Sequence, residues 1–363
     1  MIAGGAIGTI HYQFFMRVFV GEYPQRRNSR DIKEVCFMRV RGVYVCCLIL
    51  CVSLLTFGTG QAAETWPDFE KTITVVVPYS AGGGTDLVFR PFVEEMKKHT
   101  DANIIVSNIS GAGSSKGTNE MLSLPSDGYT LLASGTHTVS ATLQGLTDGY
   151  KELEGIAGLN WDPFIIAVLK EKPWKTMKDL VDDAQKNPGT ISLGNAGMGG
   201  ATGVASVGLS LAFGKVFNVT PFQGGKDLLA NVLGGHCDVG IFSQSEMLAN
   251  KEQLQPLVIL YHSRSKLAEL NTVPTLKEAG FENLQVPGGS FRALSVKKGT
   301  PENIKKILSE IVKKSYESEA YQTFMKEKGL LPEYSELGEL DTYFEALVEA
   351  YFPIMTEAGL IKE

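Results

Sequence analysis

The sequence predicts an α/β fold made of two units of similar build. Short β-branched strands alternate with helical segments, a pattern typical of parallel strands joined by helical crossovers. Glycine-rich turns follow several strands, and the pattern that begins near Ile73 restarts near Thr190. The chain has 363 residues, of which 44% are apolar and 20% charged, so the composition is globular and excludes collagen-like and disordered proteins.

The elements of the first unit are runs of β-branched and apolar residues that Gly, Pro, Asn and Asp interrupt. Strands are predicted over residues 73–77, 103–107 and 129–133, with helices over 85–99 and from the glycine turn at 111–113 to about 122. Each helix follows a strand directly, so the three strands are expected to be parallel.

The second unit repeats this arrangement. Strands are predicted over residues 190–193, 216–220, 239–242 and 257–261, with helices that end near residues 213 and 233. Residues 164–169 and 291–296 are predicted to be the strands that join the units. From Pro301 the chain is predicted to be helical as far as Gly329, and again over 337–352, because apolar residues recur at helical spacing.

The N-terminal 63 residues have the layout of an export signal. Arg39 and Arg41 precede an apolar run of fifteen residues, 43–57, and small residues follow as far as Ala63. We predict a cleaved signal peptide that begins at Met38 as the true start and is cut near Ala62 or Ala63. The alternative is an uncleaved membrane anchor, although the run is shorter than the ~20 apolar residues that span a bilayer.

The charge and the cysteine content argue against several classes of partner and site. The formal net charge is −6, and the seven basic residues of the signal region leave 27 basic and 37 acidic side chains in the rest of the chain. Nucleic acid is therefore a disfavoured partner, since phosphate binding needs clustered Lys and Arg. Beyond the signal region only Cys237 remains, so an internal disulfide or a Cys-rich zinc site is excluded there.

A glycine-rich loop between the first strand and its helix is the first candidate binding site. It reads Tyr79-Ser80-Ala81-Gly82-Gly83-Gly84-Thr85-Asp86. Glycine lets a ligand approach the backbone, and the free N–H groups of the first helical turn favour an anion. The alternative is a plain tight turn whose helix Thr85 or Asp86 caps.

Two further turns carry the same kind of chemistry. Gly111–Gly117 and Gly197–Gly203 each have a G-x-G-x-x-x-G pattern, one residue too long for the dinucleotide fingerprint, so NAD binding is disfavoured. Hydroxyl and amide side chains crowd the turns and suit a carboxylate that is bound reversibly. They are Ser80, Thr85, Ser110, Ser114, Thr136, Asn195, Thr202, Gln223, Ser243 and Ser245.

Catalytic patterns are missing from the sequence. It has neither a Gly-x-Ser-x-Gly elbow nor a His-Glu-x-x-His motif, and its histidines are scattered. His137 follows the third strand and either lines the cleft or packs in the structure, whereas Cys237 is expected to be a small buried residue. We expect a protein that is not an enzyme and that uses no cofactor or metal. A secreted α/β hydrolase is kept as an alternative.

Five motifs in order resemble the extracytoplasmic receptors of the tripartite tricarboxylate transporter family, also called Bug proteins. They are Val77-Pro78-Tyr79-Ser80-Ala81-Gly82-Gly83-Gly84-Thr85-Asp86, Asn108-Ile-Ser-Gly111-Ala112-Gly113, Asp127-Gly128-Tyr129-Thr130-Leu131, Val273-Pro274-Thr275-Leu276-Lys277-Glu278-Ala279-Gly280 and Gly299-Thr300-Pro301. The resemblance implies a two-lobed periplasmic binding protein fold with the ligand between the lobes. It places residues 64–163 and 290–363 in one lobe and 164–289 in the other.

The resemblance also implies a function and a site. The protein would be a monomeric periplasmic receptor that captures a small organic acid by hinge closure and delivers it to membrane permease subunits. A ligand sensor without a transport role is an alternative. The residues expected to bind the ligand are Tyr79, Ser80, Ala81, Gly82, Gly83, Thr85, Asp86, Ser110, Gly111, Ala112, Thr136, His137, Phe164, Asn195, Ala196, Gly197, Gly199, Thr202, Gln223, Gly224 and Ser243.

Three departures from the family pattern affect the expected ligand. Ile109-Ser110 replaces the common Arg-Pro, the loop at Gly197 lacks the usual His, and Gln223 stands where the family commonly has Lys. Losing that cation favours a monocarboxylate or an aromatic acid over a dicarboxylate. The aromatic side chains expected to form an apolar wall are Tyr79, Phe164, Phe222 and Phe242.

Overall fold

The computed structural model describes residues 66–361 apart from 283 and 285. The predicted signal region therefore lies outside the described residues. No helix among the described residues is both long and apolar enough to cross a membrane. Residues 66–361 belong to one compact unit built around a single sheet.

The sheet has ten strands, most of which are buried runs of Val, Ile and Leu that form strands readily. In chain order they are β1 (Thr72–Val77), β2 (Asn103–Asn108), β3 (Thr130–Gly135), β4 (Leu153–Leu169), β5 (Ser192–Asn195), β6 (Asn218–Pro221), β7 (Val239–Ser243), β8 (Leu254–Ile259), β9 (Gly289–Lys297) and β10 (Leu331–Ser335).

Ten α-helices flank the sheet in the described part of the chain. They are α1 (Gly84–Met96), α2 (Ser115–Ser123), α3 (Thr136–Leu143), α4 (Met177–Lys186), α5 (Ala201–Ala212), α6 (Gly225–Leu233), α7 (Gln244–Ala249), α8 (Glu302–Glu317), α9 (Glu319–Lys328) and α10 (Leu340–Glu357). Six of them, α1, α2, α3, α5, α6 and α7, directly follow the parallel strands β1, β2, β3, β5, β6 and β7. This places their N-termini near the carboxyl edge of the sheet.

The strand order β2-β1-β3-β9-β4-β7-β5-β6 divides the sheet into two sections. In the first section β1 is parallel to β2 and β3, and β9 runs antiparallel between β3 and residues 153–163 of β4. In the second section β5 is parallel to β6 and β7, and β7 and β8 pair antiparallel with residues 164–169 of β4. β4 is thus the one strand among those described that runs through both sections.

Each section has its own hydrophobic core. In the first, Val75, Phe89 and Leu308 belong to a cluster that packs β1 and β3 against α1 and α8. In the second, Ile166, Leu193 and Leu209 belong to a separate cluster beneath α4 and α5. The sections also share apolar packing, because a further cluster contains Val204 of α5 together with Phe291 of β9 and Phe344 of α10.

Gly135 is a position where the backbone requires glycine. It ends β3 with φ of +144° and pairs with Arg292 of β9. A Cβ at this residue would overlap the carbonyl oxygen of Phe291, so any side chain would push the two strands apart. The close approach fixes where α3 starts, directly beside Arg292.

Most predicted elements are present, with shifts of a few residues. The predicted strand 164–169 is the second part of a 17-residue strand, β4, that begins at Leu153. The predictions also lacked α3, α4, α7 and the short strand β10, which pairs with β4. Within α3, Thr136, Thr138 and Val139 have weak intrinsic helix preference, and burial against the neighbouring elements decides the conformation instead.

Candidate functional site

A small cavity lies between the two sections at the carboxyl ends of the parallel strands. Its volume is about 50 Å³, which admits only a few water molecules. Residues of both sections form the wall, so the cavity depends on how the sections face each other. The lining residues are Tyr79, Gly83, Gly84, Thr85, His137, Phe164, Ala196, Ala201, Thr202, Gly225, Ser243, Glu246, Ser290 and Arg292.

The first glycine-rich loop brings the N-terminus of α1 to the cavity. Gly83 precedes the helix and no side chain of the loop caps it, so neither Thr85 nor Asp86 acts as the predicted cap. Asp86 instead folds back, and its Oδ2 accepts a hydrogen bond of 2.9 Å from the N–H of Gly82. The N-terminus of α1 thus faces the cavity.

Asp86 stabilises the first loop and is not part of the cavity wall. Its Oδ1 accepts hydrogen bonds from Arg90 Nη2 at 2.6 Å and from Asn108 Nδ2 at 3.0 Å. Only 4% of Asp86 is exposed. Burial acts to raise its pKa, but the hydrogen bonds from Arg90, Gly82 and Asn108 outweigh burial and hold the pKa below its usual value.

Replacing Asp86 with alanine is expected to loosen this loop. Loss of a hydrogen-bonded, nearly buried carboxylate costs about 1–3 kcal/mol of unfolding free energy. Ligand affinity should fall about tenfold, because the loop must then be ordered on binding. Urea denaturation and calorimetric titration measure the two effects. Unchanged affinity in a folded Asp86→Ala variant would mean that the network has no part in binding.

Glu246 supplies the carboxylate that meets the N-terminus of α1. The N–H of Gly84 donates to Glu246 Oε1 at 2.8 Å, across from the second section to the first. The N–H and the hydroxyl of Ser243 donate to Glu246 Oε2, each at 3.0 Å. Burial raises the pKa of this carboxyl, and the Asp162 carboxylate adds to the rise against the opposing hydrogen bonds. Glu246 therefore places a carboxylate at the N-terminus of α1, where the helix dipole favours an anion.

The raised pKa of Glu246 predicts a pH dependence of stability. A carboxyl whose pKa is higher in the folded state stabilises the fold below its unfolded pKa, and this contribution is lost as the pH rises through the folded pKa. The unfolding free energy of the wild type minus that of the Glu246→Gln variant should therefore fall as the pH rises above about 4. Denaturation between pH 4 and 8 measures it, with the exposed Glu252→Gln as control. A difference that rises with pH contradicts the assignment.

The glycine-rich loop from Asn195 to Gly203, here called the second loop, is held in place by hydrogen bonds of its own side chains. Asn195 is buried, and its Oδ1 accepts from the N–H of Gly197 at 2.9 Å while its Nδ2 donates to Ser206. The hydroxyl of Thr202 accepts from the N–H of Ala196 at 3.0 Å. These bonds set the course of the chain into α5, whose first residues Ala201 and Thr202 line the cavity.

The turn at Gly111–Gly117 contacts the second loop and is not part of the cavity wall. Gly113 lies against Gly199, so closely that a Cβ at Gly113 would overlap the Gly199 backbone. Two side chains of the first section bind the same loop: Ser140 Oγ donates to the carbonyl of Gly199 at 2.6 Å, and Gln144 Nε2 donates to that of Met198 at 2.8 Å. The sections are therefore in contact around the cavity.

Arg292 and Asp162 form a buried ion pair at the cavity. Arg292 Nη1 is 3.0 Å from Asp162 Oδ2, and the two side chains are 2% and 0% exposed. The Asp162 carboxylate also accepts from the N–H and the hydroxyl of Ser245, at 3.2 and 2.5 Å. Nearby, burial lowers the pKa of His137 to about 3, and the charge of Arg292 contributes, so this imidazole is neutral at physiological pH.

The structure brings some of the predicted binding residues together and not others. Those that line the cavity are Tyr79, Gly83, Thr85, His137, Phe164, Ala196, Thr202 and Ser243. Those away from its wall are Ser80, Ala81, Gly82, Asp86, Ser110, Gly111, Ala112, Thr136, Asn195, Gly197, Gly199, Gln223 and Gly224. Phe222 and Phe242 pack in the core beside β7 instead of forming the expected apolar wall.

Gly84 and Ala201 lie within the predicted loops, whereas four other lining residues were missing from the sequence prediction: Gly225, Glu246, Ser290 and Arg292. Two of them had a sequence signal. Glu246 completes a capping box with Ser243, three residues earlier. Arg292 is the one charged residue within the predicted strand 291–296, and charged residues are rarely buried without a partner.

The fold is that of periplasmic binding proteins. The solved structure of the periplasmic binding protein BugD superposes with a TM-score of 0.75 at 24% identity, covering 81% of this chain and 99% of that one. The R. palustris protein Rpa4515, solved with adipate, has a TM-score of 0.74 at 21% identity and covers 81% and 98%. The α/β class and the binding-protein fold predicted from the sequence are confirmed.

The chain belongs to the tripartite tricarboxylate transporter receptor family, whose model matches residues 88–360. This confirms the resemblance seen in the five motifs. A curated relative, the UPF0065 protein in the TAR-I ttuE-ttuC' intergenic region of Agrobacterium vitis, is 28% identical over 323 residues, which is 86% of this chain and 90% of the relative. Solute binding is therefore the class of function that the family and the fold define.

Proposed function

We propose that the protein is a periplasmic receptor that captures a small organic carboxylate between its two sheet sections. The observation that carries this proposal is the cavity wall, where Gly83–Thr85 at the start of α1 and Ala201–Thr202 at the start of α5 face one another. Two helix N-termini supply N–H donors and positive dipole ends to one anion. The adipate in the R. palustris relative supports a carboxylate as the ligand.

Capture requires that the sections move apart. A cavity of about 50 Å³ is far smaller than the ~300–1,000 Å³ of ordinary ligand pockets. We propose that residues 64–163 with 290–363 and residues 164–289 are the two lobes. The pairing of β4, which changes from β9 to β7 and β8 near Phe164, supports a hinge at this point. Contacts such as Gly84 to Glu246 would break on opening.

The proposed partners follow from the family. The receptor would be exported to the periplasm, lose its signal region and, as a monomer, deliver the acid to membrane permease subunits of a tripartite transporter. A sensor that binds the same acid and signals to another protein would use the same cavity. The presence of neighbouring genes for a large and a small membrane protein would favour transport over sensing.

A thermal-shift screen of the purified protein tests the proposal. The panel contains acetate, hexanoate, benzoate, succinate, adipate, citrate and aspartate, each at several concentrations. A ligand that binds only the folded state raises the melting temperature by mass action, so at least one acid should give a saturable rise. The matching amides are the controls. If no acid shifts the transition and native mass spectrometry finds no bound molecule, the proposal is wrong and a secreted hydrolase becomes the better hypothesis.

A further inference from the structure

Arg292 is the cation of the cavity wall, and its backbone is fixed in the middle of the sheet by strand pairing. The residue pairs with Gly135 of β3 on one side and with Asn160 of β4 on the other, in the middle of the first section. Its side chain is 2% exposed and lines the cavity. A guanidinium is costly to bury unless its donors make hydrogen bonds. Any donor of Arg292 that lacks a partner is therefore available to a ligand.

Those hydrogen bonds are incomplete. Although Nη1 lies 3.0 Å from Asp162 Oδ2, neither Nη1 nor Nε of Arg292 has a partner in hydrogen-bond geometry among the described residues. The Asp162 carboxylate is turned towards Ser245, whose N–H and hydroxyl both donate to it. Arg292 thus has a charge partner, but two of its buried donor atoms make no hydrogen bond, and a guanidinium donates readily to a carboxylate.

The other cavity groups do not compete for this position. Tyr79 and His137 meet edge to face with ring centroids 5.3 Å apart, and the imidazole is neutral. Glu246 accepts its hydrogen bonds from Gly84 and Ser243. The cavity wall has no second Lys or Arg side chain among the described residues. An incoming anion therefore meets one available cation.

We infer that the guanidinium of Arg292 binds the carboxylate of the solute, and that Asp162 with Ser245 positions the guanidinium. This inference rests on the proposed function and names the residue that gives the site its preference for acids. It also supplies the cation that the Gln223 position lacks. Neutral analogues with the shape of the acid would leave the donors of Arg292 buried and unpaired, which a site of this kind rejects strongly.

Calorimetric titration with hexanoate, benzoate and adipate, and with their amides, tests this inference. Asp162→Asn keeps the guanidinium and should bind the best acid as tightly as the wild type or more tightly. Asp162→Asn/Arg292→Gln removes both charges and should bind that acid 10- to 100-fold more weakly than Asp162→Asn, while affinity for the amide changes less than about threefold. Arg264→Gln, an exposed cation paired with Glu278, is the matched control and should change neither.

The outcomes separate the inference from the proposed function. Acid binding to the wild type with equal affinity in the double variant overturns the role of Arg292 but leaves the receptor intact. Equal loss of acid and amide affinity overturns it too, because the residue would then act only on the fold. No binding of any acid to the wild type overturns both. If the double variant fails to fold, Arg292→Lys, which keeps the charge without the fork, should bind the acid at least fivefold more weakly.

Discussion

Replacing Gly83 with leucine should abolish carboxylate binding while the protein stays folded. Gly83 lines the cavity with φ of −78° and ψ of 167°, a conformation open to any residue. A Cβ there would lie 3.3 Å from the Ser80 carbonyl oxygen and 4.0 Å from the Gly225 nitrogen, so one carbon nearly fits. The rest of a leucine side chain must enter the cavity, because the loop and Gly225 border it on both sides.

The expected loss of affinity in Gly83→Leu is at least about 100-fold, since the side chain occupies the space of the solute and holds the sections apart. The unfolding free energy should change by less than about 1 kcal/mol, because each section keeps its own core. Calorimetric titration and urea denaturation measure the two quantities. Gln185→Leu, which adds the same group on the exposed surface of α4, is the control. A folded Gly83→Leu variant with wild-type affinity would place the ligand elsewhere.

Replacing Asp162 with alanine should produce the largest loss of stability. The change leaves the guanidinium of Arg292 buried without its charge partner and removes the acceptor of Ser245. Breaking a buried ion pair in this way costs about 3–5 kcal/mol. Asp182→Ala, which removes an exposed partner of Lys178, should cost less than about 1 kcal/mol and serves as the control.

The double variant Asp162→Ala/Arg292→Met identifies the origin of this loss. Removing both charges relieves the penalty of the unpaired guanidinium, so most of the lost unfolding free energy should return. Urea denaturation of the four proteins of the cycle measures the coupling between the two residues. A double variant as unstable as Asp162→Ala would show that lost packing, and not the unpaired charge, is the cause.

The parts of the fold that local chemistry determines were predictable from the sequence. The strands β1 and β2 contain β-branched runs, β3 is mostly apolar, and Pro78, Asn108 and Gly135 mark the ends of the three strands. The glycine turns before α1 and α5 precede the helices as predicted. The first and second glycine-rich loops were predicted to bring Gly83, Thr85 and Thr202 to the site, and all three line the cavity. Turn residues determine these features within a few positions along the chain.

The charged part of the site was not predictable in the same way. Asp162 and Arg292 are 130 positions apart and meet only because β4 and β9 pair. Glu246 reaches Gly84 across the two sections, 162 positions apart. The sequence signals of Glu246 and Arg292 indicated a helix cap and an unusual strand residue, but not their partners. Long-range pairing alone brings the three charges to one cavity.

A crystal structure of the protein with the acid that gives the largest thermal shift would show where the solute binds. We expect the carboxylate to lie between Gly83–Thr85 and Ala201–Thr202, within hydrogen-bond distance of Arg292. An acid bound elsewhere, for example in the pocket of about 630 Å³ that Tyr261, Leu267 and Leu330 help to line, would refute this binding site.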